Sequence, residues 1–296
     1  MSRCDCNKES HFNYEDSNDL MGKNTMINKY IPFCRGEYER RLGLVRQAMD
    51  SAGMDTLFVT DPSNMAWLTG YDGWSFYVHQ GVIVFLDRDP VWWGRRQDAN
   101  GALRTVWMDD DRIHGYDDGY VQSSERHPMQ DLAMRLNDHG AGQTIGVEMD
   151  NYYFSAKAYT TLVEAMPGKT FTDATALVNW QRGIKSAEEL DFMRKAARIS
   201  EKIIDGLLDR VEPGVPKNEI AASIYSDALR GVDDAWGDYP AIVPLLPSGT
   251  DAAAPHLTWD GRSFAEGEAT FFEVSGCYRR YHTPFCRTIF LGTPPR

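Results

Sequence analysis

Apolar positions along the chain follow first a helical period, then a strand period, and the switches between them outline the elements. From Glu37 the residues Tyr38, Leu42, Val45 and Met49 fall three or four apart, the spacing of one helix face, and Gly53 stands where that helix would stop. Thr56-Leu57-Phe58-Val59-Thr60 then forms a β-prone run that breaks at the turn-forming Asp61-Pro62-Ser63-Asn64. A second run over 81–86 breaks at Asp87. A helix over 129–137, a strand over 144–147, a helix over 156–166 and a strand over 170–172 continue the alternation. Strands and helices in alternation predict an α/β domain.

The alternation pauses over 177–185. Ser186 is then placed to cap a helix, and Glu189 three residues on completes a capping box. The helix that follows runs through Leu190, Met193, Ala197 and Ile204 toward Pro213-Gly214. Pro216 opens a second helix through Ile220 and Ile224, which Gly231 ends. From Ala241 the pattern reads as strands over 242–246, 270–278 and 281–291. Two helices followed by antiparallel strands predict an α+β domain. The expected organisation is therefore a flexible polar tail over residues 1–25, an α/β domain over 26–180 and an α+β domain over 181–296, with no internal repeat.

Charge narrows the function classes. With 31 basic and 43 acidic residues the net charge is −12, so the chain would repel phosphate backbones and anionic membranes. No stretch approaches the roughly 20 apolar residues that span a bilayer, and the first residues lack the basic-then-apolar order of a signal peptide. The expectation is a cytoplasmic protein with no nucleic-acid and no membrane partner. Five cysteines are an odd number in a large chain, which predicts reduced thiols rather than a disulfide framework. Cys4 and Cys6 have no second pair to complete a soft-metal site and read as part of the tail.

Three segments carry candidate chemistry. His256 follows Pro255 at the end of a loop of small residues, Ser248-Gly249-Thr250-Asp251-Ala252-Ala253-Ala254, and loops of this kind display catalytic groups; a surface histidine capping a turn is the alternative. Glu273 interrupts an apolar strand, where burial of an unpaired carboxylate is costly and raises its pKa, unless Arg279, Arg280 or Arg287 pairs with it. The third segment is the polar strand Arg279 to Thr288, RRYHTPFCRT.

These motifs, taken in order, resemble the pita-bread superfamily that includes methionine aminopeptidase, prolidase and creatinase. The resemblance is carried by Ile184-Lys185-Ser186-Ala187-Glu188-Glu189 at a helix start, Pro255-His256, Gly267-Glu268 before a strand, and Cys286-Arg287-Thr288 ending in a strand and glycine. It covers roughly residues 36–292 and implies a creatinase-type N-terminal domain followed by a pita-bread catalytic domain. Family members continue beyond the position where this chain ends, so the resemblance also implies a C-terminally truncated catalytic domain. In metal-dependent members two aspartates bridge a pair of ions. The positions that match them hold Glu273 and Pro284, and proline has no ligand atom, so the expectation is no metal and no other cofactor.

Creatinase works without metal on a small nitrogen-rich substrate. Within that metal-free branch, Phe272-Glu273-Val274-Ser275-Gly276-Cys277-Tyr278-Arg279-Arg280-Tyr281-His282 and Trp236-Gly237-Asp238-Tyr239-Pro240 most resemble the ectoine hydrolases, which open a cyclic amidine to N-acetyl-2,4-diaminobutyrate. The resemblance implies a hydrolase acting on a small molecule, with His256 and Glu273 catalytic. It further implies that His282, Cys286 and Arg287 face the substrate, Arg287 holding Glu273 or the substrate carboxylate. Cys286 reads alternatively as a small space-filling hydrophobe. Tyr71, Trp74 and Phe76 match the loop that creatinase extends into its partner's pocket, which implies a homodimer; by pattern alone they read as ordinary core. A metal-dependent Xaa-Pro dipeptidase and a non-catalytic pita-bread binding protein are the alternative functions.

Overall fold

In a computed structural model of the chain, residues 29–294 are described; the tail expected over 1–25 lies outside them. The chain divides between Ile184 and Lys185 into two compact units.

The first unit opens with α1 (Arg35–Ser51), which buries Tyr38, Leu42, Val45 and Met49, the face its spacing marks out. β1 (Thr56–Val59) leads into α2 (Pro62–Thr69), where a turn was expected. The four residues Asp61-Pro62-Ser63-Asn64 are a helix start: the Asp61 carboxylate accepts from the Ser63 and Asn64 N–H groups at 2.8 and 3.0 Å, and Pro62 occupies a first-turn position where its missing N–H costs nothing. β2 (Gly81–Phe85), β3 (Val91–Arg95), α3 (Arg96–Thr105), β4 (Ile113–Tyr116), α4 (Pro128–Asp138), β5 (Thr144–Val147), α5 (Ala156–Ala165), β6 (Thr170–Asp173) and α6 (Leu177–Gln181) follow. The pattern did not predict β3, α3 or β4. The reason is local: α3 buries only Ala102 and contains Asn100-Gly101, so it carries a turn signal and almost no apolar stripe.

The strands form one mixed sheet in the order β4-β3-β2-β1-β5-β6. Its core gathers Phe58, Ile83, Trp93, Met129, Leu132, Ile145 and Phe154. Trp93 buries its ring fully and donates its indole N–H to Asp131 at 2.8 Å. The buried Glu148, just after β5, accepts from the N–H groups of Thr60 and Asp61 and from the Asn64 amide, at 2.6, 2.8 and 2.6 Å. Arg182 donates in turn to Asn64 Oδ1 at 2.7 Å, so one polar network ties the start of α2 to the residues after β5 and α6.

The second unit begins with the capping box of Ser186 and Glu189, both of its hydrogen bonds formed. α7 (Ala187–Arg210) and α8 (Lys217–Arg230) precede a short 3₁₀ turn over Gly249–Ala253 and a long hairpin of β7 (Ala269–Tyr278) and β8 (Tyr281–Phe290). Ile199, Ile203 and Leu207 of α7 share a core with Phe272, Val274 and Tyr278 of β7. The approach is close enough that a Cβ on Gly276 would lie 2.4 Å from the Ala196 carbonyl oxygen, so only glycine fits there. The hairpin turns at Arg279 and Arg280, both in the left-handed region at φ 47° and 68°, the backbone of a two-residue primed turn.

The strand expected over 242–246 is not continuous. Pro244 and Pro247 lack N–H groups and interrupt any ladder. What remains is antiparallel pairing of Leu245 with Glu273 and Ser248 with Thr270, along the edge of β7 opposite to β8.

Candidate active site

The hairpin register decides which side chains share a face. Glu273 stands opposite Cys286, Ser275 opposite Pro284 and Cys277 opposite His282. Residues directly opposite in an antiparallel pair, and every second residue along each strand, point the same way. Glu273, Pro284, Cys286 and His282 therefore lie on one face. Phe272, Val274 and Tyr278 of β7, with Phe285 and Ile289 of β8, lie on the other, against α7. Glu273 is half-buried, and Pro284 and Cys286 are exposed.

Glu273 is held by its backbone at both edges of β7. Toward β8 it faces Cys286; on the other side its N–H donates to the Leu245 carbonyl and its carbonyl accepts from the Leu245 N–H, both at 3.0 Å. The carboxylate makes no hydrogen bond or ion pair among the described residues. Pairing with an arginine, the alternative reading of this glutamate, is not formed among the described residues. Arg287 occupies the strand face of Phe285 and Ile289, opposite Phe272, donates to the Cys286 carbonyl at 2.8 Å and sits 5.8 Å from the centre of the Phe285 ring. Arg280, at the turn, donates its N–H to the Asp238 carboxylate at 3.3 Å and lays its guanidinium 4.0 Å from the centre of the Tyr239 ring.

His256 is exposed in the loop that follows the 3₁₀ turn, and its imidazole makes no hydrogen bond among the described residues. Backbone pairing places that loop: Leu246 donates its N–H to the Thr258 carbonyl at 3.2 Å, and the adjacent Leu245 is the partner of Glu273. His256 itself sits in the turn two residues before Thr258, outside the pairing that holds Glu273. His282 shares Glu273's face, but both of its ring nitrogens are taken up by backbone groups, Nδ1 with the Arg280 carbonyl at 3.0 Å and Nε2 with the Ala241 N–H at 2.9 Å. Burial holds this imidazole below the usual histidine range. Nothing in the pattern signals the Ala241 contact.

The three aromatic residues lie in the first unit and differ in character. Tyr71 is 4% exposed; its hydroxyl bonds Ser75 Oγ at 2.6 Å, its ring lies 5.0 Å from that of Trp92, and burial pushes its pKa up to about 12. It is core. Trp74 is 62% exposed, with the Phe76 and Tyr77 rings 5.0 and 5.9 Å away.

Residues 41–184 match the Creatinase/Prolidase N-terminal domain, and residues 191–296 match Metallopeptidase family M24. The chain is 54% identical to ectoine hydrolase of Halomonas elongata over 91% of its own length and 69% of that protein's. The chain belongs to the ectoine hydrolase family of the creatinase/prolidase superfamily. An uncharacterized hydrolase/peptidase of Sinorhizobium fredii is a further member-like relative, 39% identical over 90% of this chain and 69% of that protein. Among solved structures the fold is shared with the prolidase from Thermococcus sibiricus, at TM-score 0.72 and 17% identity over 87% of this chain and 66% of that one. The prolidase from Pyrococcus horikoshii gives TM-score 0.70 at 17% identity, over 86% of this chain and 66% of that one. The chain spans about two thirds of the length of these relatives.

The M24 family is named for metal chemistry, so the donors at the site bear on it. A two-ion centre needs carboxylates that bridge the ions. Glu273 is one carboxylate, position 284 is a proline, and among the described residues no three His, Cys, Asp or Glu side chains gather as a metal-binding group. These residues do not fit a two-ion centre.

Proposed function

We propose that this protein opens the cyclic amidine ring of ectoine, yielding N-acetyl-2,4-diaminobutyrate, without a metal ion. The observation that carries the reading is a Glu273 carboxylate without a partner among the described residues on the hairpin face away from α7, with proline at the position of a second metal ligand, in a chain 54% identical to ectoine hydrolase.

The chemistry suits those residues. The carbon between the two ring nitrogens of a protonated amidine is electrophilic without further polarisation. Hydrolysis adds water oxygen to that carbon, and one C–N bond then breaks as its nitrogen takes up a proton. Glu273 activates the attacking water or attacks directly, and His256 carries the proton to the leaving nitrogen. A carboxylate beside an amidinium also supplies complementary charge. Cys286, directly across from Glu273, lines the same surface, and Arg287 lies beyond it toward the strand end.

The same reading extends to assembly. The exposed Trp74, packed with Phe76 and Tyr77, completes the pocket of a partner subunit in a homodimer. The enzyme acts in the cytoplasm, and no helix among the described residues is long and apolar enough to cross a membrane.

A substrate panel tests the proposal. The full-length protein is given ectoine and a set of Xaa-Pro dipeptides, each with and without added manganese, and products are followed by NMR. Acetylated diaminobutyrate from ectoine, with the dipeptides intact, is the expected result. Manganese-dependent dipeptide cleavage with ectoine untouched would make the protein a dipeptidase, and no turnover of either would make it a binding protein.

A further inference from the structure

The neutral imidazole of His282 joins the hairpin to the segment beside it by a hydrogen bond at each ring nitrogen. Its Nδ1 donates to the Arg280 carbonyl within its own strand end, at 3.0 Å. That fixes the tautomer and leaves Nε2 as an acceptor, which receives the Ala241 N–H at 2.9 Å. The imidazole reaches this amide past Cys277, whose Sγ lies 3.8 Å from Nδ1.

Ala241 belongs to the segment that runs along the outer edge of β7. The segment is anchored at one end where Asp238 N–H donates to the Cys277 carbonyl at 2.9 Å, and at the other where Leu245 exchanges two bonds with Glu273. Between them Pro240 and Pro244 have no N–H, and Val243 is exposed. Between these two anchors the Arg280 guanidinium lies over the Tyr239 ring, and His282 holds the backbone itself through the Ala241 N–H. The segment beside Glu273 is therefore held in part by a histidine that has no free nitrogen for substrate.

We propose that His282 is a positioning residue: as a neutral imidazole it latches the 238–245 segment against the hairpin and so sets the edge of the surface on which Glu273 acts. This deepens the functional reading above and rests on it for the catalytic consequence, though not for the latch itself. The latch requires the unprotonated ring, because an imidazolium has two N–H donors and nothing to accept the Ala241 N–H. The charged and titratable groups around the ring are Arg280 at the turn, Asp238 on the segment and Cys277 on β7. Burial and Arg280 disfavour protonation, while Asp238 and the bond to the Arg280 carbonyl favour it.

Two variants separate the two bonds. His282→Gln can place an amide oxygen where Nε2 stood and keep the acceptor for Ala241. His282→Asn can place an amide nitrogen where Nδ1 stood, keeping the bond to Arg280 and losing the latch. Hydrogen exchange at the Ala241 amide, corrected for the intrinsic rate, reads the latch in the full-length protein with no substrate present. Protection is expected in the wild type, falling as pH drops below the usual histidine range; it persists without that fall in His282→Gln and is absent in His282→Asn. Ectoine turnover, in parallel, should fall by about tenfold or more in kcat for His282→Asn, the scale of one lost hydrogen bond, and stay near wild type for His282→Gln.

Equal Ala241 protection in the wild type and His282→Asn would overturn the latch. Lost protection in His282→Asn with turnover equal to that of His282→Gln would overturn its positioning role. A latch that behaves as expected in a wild-type protein inert toward ectoine would refute the functional reading and leave the latch standing.

Discussion

Glu273 and Cys286 face each other across the β7–β8 ladder, on the side of the hairpin turned away from α7. Because the carboxylate has no partner among the described residues, a cation placed at 286 would supply one. Cys286→Arg is expected to raise the unfolding free energy by up to about 1 kcal/mol through the cross-strand pair while suppressing ectoine turnover, since the pair occupies the reactive carboxylate. Urea unfolding and product NMR on the same preparation check both halves. Stabilisation with turnover intact would show that Glu273 is not the reacting group.

Glu273→Gln should lower kcat by roughly 10²–10⁴, the range of general acid–base and nucleophilic groups, with thermal stability unchanged. Among the described residues the half-buried side chain makes no bond whose loss would unfold the protein. Steady-state kinetics together with a melting curve separate the two effects.

Gly276→Ala tests the packing beneath the site. Its Cβ would meet the Ala196 carbonyl at 2.4 Å and the Ser200 nitrogen at 2.7 Å, both backbone atoms of α7 that cannot swing aside. A loss of about 1–3 kcal/mol in unfolding free energy is expected, as for other overpacked cores.

Acid should weaken the first unit through its buried histidines. Burial lowers His79 from 6.5 to about 4, and His127, its ring neighbour at 4.9 Å, is lowered too. A depressed histidine binds its proton more weakly folded than unfolded. Stability is therefore full above pH 6.5 and declines between there and about 4, by about 3 kcal/mol at most from His79 alone. Urea unfolding across this range should show the decline, and His79→Gln should flatten it.

The fold was legible where apolar spacing is strong and local. The buried face of α1, the capping box of α7 and both long hairpin strands can be read from residue order. β3, α3 and β4 were missed because a polar helix with an Asn-Gly pair follows a short apolar run without a break. The face of Arg287 was misassigned for a different reason. The strand bounds 270–278 and 281–291 already place the turn at Arg279-Arg280, but the resemblance, not the register those bounds imply, gave Arg287 its face. Once the turn is placed, the period of two puts Arg287 opposite Phe272 and away from Glu273. The bond between His282 and Ala241 joins residues 41 positions apart through a backbone N–H, and side-chain patterns carry no signal for such a contact.

The most direct test of the central claim is ectoine turnover by metal-stripped protein. The full-length protein is dialysed against EDTA, its residual metal is quantified by mass spectrometry, and release of N-acetyl-2,4-diaminobutyrate is followed by NMR. The account requires turnover at an unchanged rate with metal far below one ion per chain. Turnover that disappears on stripping and returns with manganese would contradict it.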